Sequence, residues 1–267
     1  MKRILIIFSF SFLLFNVVQA QDKWEKWGPT SKSGAGVILR AGYTLGGTSP
    51  IPLPKEIRSI NAFRPKGGAT VGFDAYKMFS RRWGLAVGTR FFYEGFHTSA
   101  DVKNYWVVLD AGDGPISGYF TGRNVTDTYM WGVTLPLLVT FRAGARWNIS
   151  VGPYFSTYFK RSFTGYVYEN SEDIGYLREG SPTGNFVDMH RSADHPKGTP
   201  YPEETFHENM RKWNSGLEFT FDWKATKHLN VFGMLDWGLS NIFEKDFEAI
   251  AFKMYPIYAT VGVGYRY

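Results

Sequence analysis

The chain contains no cysteine. That absence excludes a disulfide scaffold, a thiol nucleophile and a lipid anchor on an N-terminal Cys. It suits an exported protein that needs no oxidation step. A second long apolar run is missing too. Beyond residues 4–15 no stretch approaches the roughly twenty apolar residues of a spanning helix, and charges are spread throughout, so a helical membrane protein is excluded. Clusters of Lys and Arg are also absent despite a net charge of +6. The basic residues are scattered as on solvated loops and rims, which argues against nucleic acid as a partner. Nucleotide loops, zinc spacings and nucleophile elbows do not occur. Gly34-Ala35-Gly36 and Gly262-Val263-Gly264 sit in strand patterns and are not phosphate cradles. No cofactor, metal or catalytic residue is expected.

What is present begins with an export signal. Lys2 and Arg3 form a positive n-region, residues 4–15 an apolar core, and Val18-Gln19-Ala20 a cleavage site before Gln21. Residues 1–20 are therefore expected to be removed. Residues 21–32 form a short periplasmic segment whose Trp24 and Trp27 suit the headgroup region.

The most informative segment is residues 255–267. Tyr255, Ile257, Ala259, Val261, Val263, Tyr265 and Tyr267 alternate with Pro256, Tyr258, Thr260, Gly262, Gly264 and Arg266. Side chains of a strand alternate between faces, so one face is apolar along its length and carries Tyr at its ends. The ten steps from Tyr255 to Tyr265, at about 3.3 Å each and tilted by roughly 40°, rise about 25 Å, the height of the apolar band of a transmembrane barrel.

The same period marks seven further strands, near residues 33–46, 67–79, 83–97, 128–142, 146–161, 212–224 and 228–240. A soluble β-sandwich also alternates, with its apolar face inward. Here the polar face is rich in Gly and charge, and aromatics recur at strand ends, among them Tyr43, Trp83, Tyr93, Tyr129, Trp147, Trp213 and Trp237. Aromatic content is 18%, as two interfacial girdles require. Connections alternate between tight links at 80–82, 143–145 and 225–227 and long ones at 47–66, 98–127, 162–211 and 241–253. Short periplasmic turns and longer outer loops produce that rhythm. The expectation is an all-β chain in which residues 33–267 form an eight-stranded antiparallel up-and-down transmembrane β-barrel with four long outer loops. A hairpin of residues 105–109 with 116–121 extends the wall, which leaves a ten-strand count open.

The chain resembles the PorT-like outer-membrane β-barrel family of the Bacteroidota. The resemblance is carried by Leu135-Pro136-Leu137-Leu138-Val139 flanked by Arg142, by Val151-Gly152-Pro153-Tyr154-Phe155, by Trp237-Gly238-Leu239-Ser240-Asn241-Ile242 and by Val261-Gly262-Val263-Gly264-Tyr265. It covers nearly all of the mature chain and implies an eight-stranded barrel in the outer membrane. It implies no single function, although one member assists a secretion system.

Candidate chemistry falls into three groups. Arg40, Asp74, Arg90, Glu218, Asp222 and Asp236 lie on the lumen face near mid-strand. Eight strands leave an interior just filled by side chains, so these charges are expected to pair as a structural plug. An ion path or a small-ligand site is the alternative. The histidines form the second group: His97 with Ser99 and Asp101 just past a strand, Asp188-Met189-His190, Asp194-His195 and His207-Glu208. A lipid or peptide hydrolase would use a His with a carboxylate, against the simpler reading of solvated loop residues. The third is the acid-rich loop 162–211 with Pro182, Pro196 and Pro200, which suits partner binding or a solvated cap. Its Glu169, Glu172 and Asp173 lack the spacing of an EF-hand. The composite expectation is a non-enzymatic structural or interaction component of the envelope. Outer-membrane lipid surrounds it, and other envelope proteins meet its outer loops. The rivals are a barrel enzyme acting on lipid or peptide and a small-solute pore.

Overall fold

The computed structural model describes residues 34–110, 115–168, 176–187, 204–205, 208–244 and 253–267. The expected export signal, the Trp24–Trp27 segment, His190, His195, His207 and the Glu169, Glu172, Asp173 group lie outside these residues.

Eight strands close into a ring: β1 (Gly34–Pro50), β3 (Gly68–Met78), β4 (Trp83–Asp110), β5 (Pro115–Arg142), β6 (Trp147–Tyr168), β10 (Trp213–Lys224), β11 (Leu229–Gly238) and β12 (Met254–Arg266). Each pairs antiparallel with its neighbour in the chain order of this set, and β1 closes on β12 from Ile38↔Arg266 to Pro50↔Met254. Closure leaves no unpaired edge in the wall. The expected eight-stranded up-and-down barrel is the observed fold. Among the described residues, four short strands complete the sheet above it: β2 (Ile57–Pro65), β7 (Tyr176–Arg178), β8 (Phe186–Val187) and β9 (Glu204–Thr205).

The apolar residues face outward. Leu39, Val71, Phe73, Leu85, Val87, Phe91, Leu135, Leu137, Val151, Phe221, Val261 and Val263 are all exposed. In a soluble sandwich these positions would form the core. Their burial in lipid supplies stabilisation of about 1.5–3 kcal/mol per side chain. Aromatic pairs rim the band at both levels. Trp83 meets Phe141 at 4.8 Å near the short turns, and Tyr93 meets Trp131 at 4.7 Å near the outer side.

The wall is uneven in height. β4 and β5 are 28 residues each, far more than a tilted crossing needs. The expected loop over residues 98–127 is strand for most of its length. It runs from Thr98↔Thr126 through Tyr105↔Phe120 to Asp110↔Pro115, and this includes the hairpin read from the sequence. The expected loop over residues 47–66 likewise contains β2, which pairs with the upper part of β4. The reason is cooperative. An exposed polar segment carries little alternation of its own, but it continues the hydrogen-bond ladder of the neighbour it leaves the membrane beside. The mismatch is absorbed at Asn104, whose φ of 54° coincides with a register shift between Val102 and Tyr105. Asn is among the few non-glycine residues that accept this conformation readily.

The inward face of the upper wall is apolar. Phe96, Val102, Tyr105, Val107, Phe120, Val125 and Leu177 are buried there. Directly below, Phe92, Met130, Tyr158, Phe163, Met210, Ile242, Phe243, Met254 and Tyr258 form one buried cluster across the outer mouth of the ring. Met210 and Phe243 reach it as an isolated bridge outside the named strands. Main-chain bonds from Arg211 to Ile242 (2.8 Å) and from Ile242 to Met254 (3.0 Å) hold that bridge.

Candidate functional site

The lumen below the apolar cluster is polar, and its centre is an ion-pair network. Alternation turns Arg40 of β1, Asp74 of β3, Arg90 of β4, and Glu218 and Asp222 of β10 to the same interior, each no more than 6% exposed. Glycine makes the space. Gly72 is the cross-strand partner of both Arg40 and Arg90, Gly88 of Asp74, and Gly152 of Glu218. A Cβ on Gly88 would lie 2.1 Å from Asp74 Oδ1. Wide side chains thus oppose absent ones around the ring.

Arg40 donates to both oxygens of Asp222, at 2.7 and 2.9 Å, and its Nε donates to Asp74 Oδ2. Asp74 also accepts from Arg90 Nη2, at 2.9 and 3.0 Å. Arg90 Nη1 stands in salt-bridge range of Glu218 Oε2, off the axis of a regular hydrogen bond. Thr220 donates to Glu218 Oε1 at 2.9 Å. The chain Asp222–Arg40–Asp74–Arg90–Glu218 therefore crosses the lumen from β10 through β1, β3 and β4 and back to β10. Planar guanidinium forks suit this bridging. Hydroxyl pairs continue the polar lining: Thr44 with Thr70 (2.9 Å) and Thr260 (2.8 Å), and Thr134 with Ser156 (2.7 Å).

Of the six residues singled out in the sequence, five make these bonds. Asp236 lies opposite Glu218 on β11, and its Oδ1 has no hydrogen-bond partner among the described residues. Glu94, buried four residues above Arg90 on the same face, is not one of those six. Nor are Arg142, Lys224 and Arg266 at the inner ends of β5, β10 and β12. The alternation that placed Arg40 and Asp222 inward assigns these four as well.

The histidine reading fares differently. His97 lies within β4 rather than past it, and its Nδ1 meets Asp127 at 3.1 Å, not Ser99 or Asp101. Asp127 also pairs with Lys66, which donates to the Tyr129 hydroxyl at 2.6 Å. Burial alone would lower the Lys66 ammonium, but these two partners carry it above its ordinary value. Asp101 instead accepts from Arg123 at 2.9 Å and Ser59 at 3.1 Å. The Arg123 hydrogen bond, with those of Asn61 and Ser59, holds its carboxyl below the usual range. These are cross-strand ties of the upper wall between β2, β4 and β5. Among the described residues no three His, Asp or Glu side chains converge on a common metal position.

The model of the outer membrane protein beta-barrel domain family matches residues 19–244. No curated protein sequence matches the chain significantly. Among solved structures, the attachment invasion locus protein Ail of Yersinia pestis, in complex with the heparin analogue sucrose octasulfate, is similar at 10% identity. The match covers 89% of this chain and 100% of that one, with a TM-score of 0.34. OprG of Pseudomonas aeruginosa matches at 12% identity over 90% and 98% of the two chains, with a TM-score of 0.35. Neisserial surface protein A matches at 9% identity over 87% and 97%, with a TM-score of 0.28.

Proposed function

The chain belongs to the outer membrane protein beta-barrel domain family, and on that basis we propose that it is a non-conducting, non-enzymatic anchor. Its barrel holds the raised β4–β5 wall above the outer membrane, where that wall meets another envelope component. Residues 1–20 act as a cleaved export signal, 21–32 as a short periplasmic segment and 33–267 as the barrel. The resemblance to PorT-like barrels supports assistance to secretion or surface assembly as the role.

The observation that carries this reading is the combination of a closed interior with an overlong outer wall. The Arg40–Asp74–Arg90 network and the Phe163–Phe243 cluster obstruct the lumen at two levels. Meanwhile β4 and β5 run well past the outer aromatic pair of Tyr93 and Trp131. The raised hairpin presents Trp106 and Tyr119, ring to ring at 5.2 Å, each half-buried. Aromatic pairs of this kind serve as contact anchors at interfaces. A solute pore would need a continuous path past both obstructions. A hydrolase would need a nucleophile beside the His97–Asp127 pair.

A photo-crosslinking residue at Trp106 or Tyr119 should give a discrete protein adduct in native membranes. The same probe at Val71, in the lipid-facing band, should give none. Equal labelling at both levels, or no adduct from the wall, contradicts the reading.

A further inference from the structure

The inner end of the lumen is a blind vestibule with an unusual charge. The three tight turns and the end of β12 contain Arg81, Arg82, Arg142, Arg146, Lys224, Lys227 and Arg266, and no Asp or Glu. Between two of these turns and the last residues of β12 lies a cavity of about 260 Å³, lined by Arg146, Lys224, Lys227, His228, Arg266 and Tyr267 among others. A separate, smaller void of about 30 Å³ is lined by Arg142 and shares Arg266 with the first. It ends against Arg40, Asp74 and Asp222.

The inward cations of this vestibule differ from those of the network above. Arg40 and Arg90 each form ion pairs with two carboxylates. Lys224, Arg142 and Arg266 make no ion pair among the described residues. The Nε atoms of Arg142 and Arg266 are buried without a hydrogen-bond partner. Arg266 lies over the Tyr76 ring at 5.3 Å, which fixes the guanidinium at the cavity wall. Arg146 and Lys227 are engaged in other contacts and add only to the local field. Asp222, the nearest carboxylate above, is already held bidentately by Arg40.

We propose that this vestibule binds a phosphate group presented from the periplasmic side, with Lys224 and Arg266 as its ligands and Arg142, in the smaller void, behind them. Guanidinium forks and an ammonium are the side chains that match tetrahedral phosphate oxygens. A basin whose charged side chains carry one sign concentrates anions. The ion-pair network and the apolar cluster above it mean that such a ligand enters and leaves at the periplasmic end. Two sources present this chemistry: free phosphate, and the headgroup of an anionic phospholipid in the inner leaflet.

The test uses the full-length folded protein in a maltoside detergent at low salt. Calorimetric titration with inorganic phosphate reads the free anion. Native mass spectrometry from mixed micelles of phosphatidylglycerol and phosphatidylcholine reads the lipid. In either arm, Lys224→Gln with Arg266→Gln should weaken binding at least tenfold. Lys224→Arg should retain it, and Arg64→Gln, exposed on β2 at the opposite end of the barrel, should leave it unchanged. A saturable phosphate isotherm lost in the double variant assigns the free anion. Selective retention of phosphatidylglycerol, lost in the same variant, assigns the headgroup. If the double variant does not fold, Lys224→Gln alone is read in its place, since Lys224 makes no side-chain hydrogen bond among the described residues. No binding in either arm, or binding indifferent to Lys224 and Arg266, overturns the proposal.

Discussion

Arg90 is the lumen side chain on which most depends. It is 1% exposed and faces two carboxylates, Asp74 and Glu218, from strands on different sides of the ring. Removing one partner of a buried ion pair strands the other charge, which typically costs about 3–5 kcal/mol. Arg90→Ala should therefore lower the unfolding free energy in urea by about that amount. Arg64→Ala on exposed β2 should change it by less than about 0.5 kcal/mol. A loss below about 1 kcal/mol for Arg90→Ala would mean that Asp74 and Glu218 do not depend on it. The face of each of these residues was readable from alternation alone, because a strand has only two faces. Who pairs with whom was not. Asp236 and Asp222 share a type and a face, yet only Asp222 reaches Arg40. Their heights in the barrel follow from the stagger between strands, which no local pattern encodes.

At the scale of the strand, alternation read the membrane-spanning parts of all eight wall strands closely, since lipid on one side and a packed lumen on the other impose a strict period of two. Above the membrane that contrast disappears. The segment Asp101-Val102-Lys103-Asn104 mixes both types and reads as loop, yet it belongs to β4 because β5 offers it a ladder. The tight packing inside the ring gives the strands a second constraint. Gly88 of β4 has no room for a methyl group, since an added Cβ would lie 2.1 Å from Asp74 Oδ1 and 2.7 Å from Phe73 O. Asp74 is held by two arginines and has nowhere to move. Gly233 on β11 has nothing within 4 Å of the same position. Gly88→Ala should destabilise the barrel by about 1–3 kcal/mol through overpacking, with a reduced yield of the heat-modifiable folded band on a gel. Gly233→Ala should fold as the parent does. Equal behaviour of the two variants would contradict the packing described for the lumen.

At the scale of the molecule, the barrel is stoppered at two levels by unlike materials. The mid-lumen carries charges paired across its width, and the outer mouth carries an apolar cluster. The mid-lumen charges were visible in the sequence as charged residues on a glycine-rich face. The cluster was not, because Met210, Ile242 and Phe243 come from segments with no periodicity, and only their return to the mouth makes them a plug. An anchor needs both obstructions to persist in a bilayer, and the most direct measurement is single-channel recording of the purified protein in planar membranes. No stable open state should appear under moderate voltage. A reproducible conductance of nanosiemens size would contradict it, since a continuous wet path would then run past both Arg90 and Phe243.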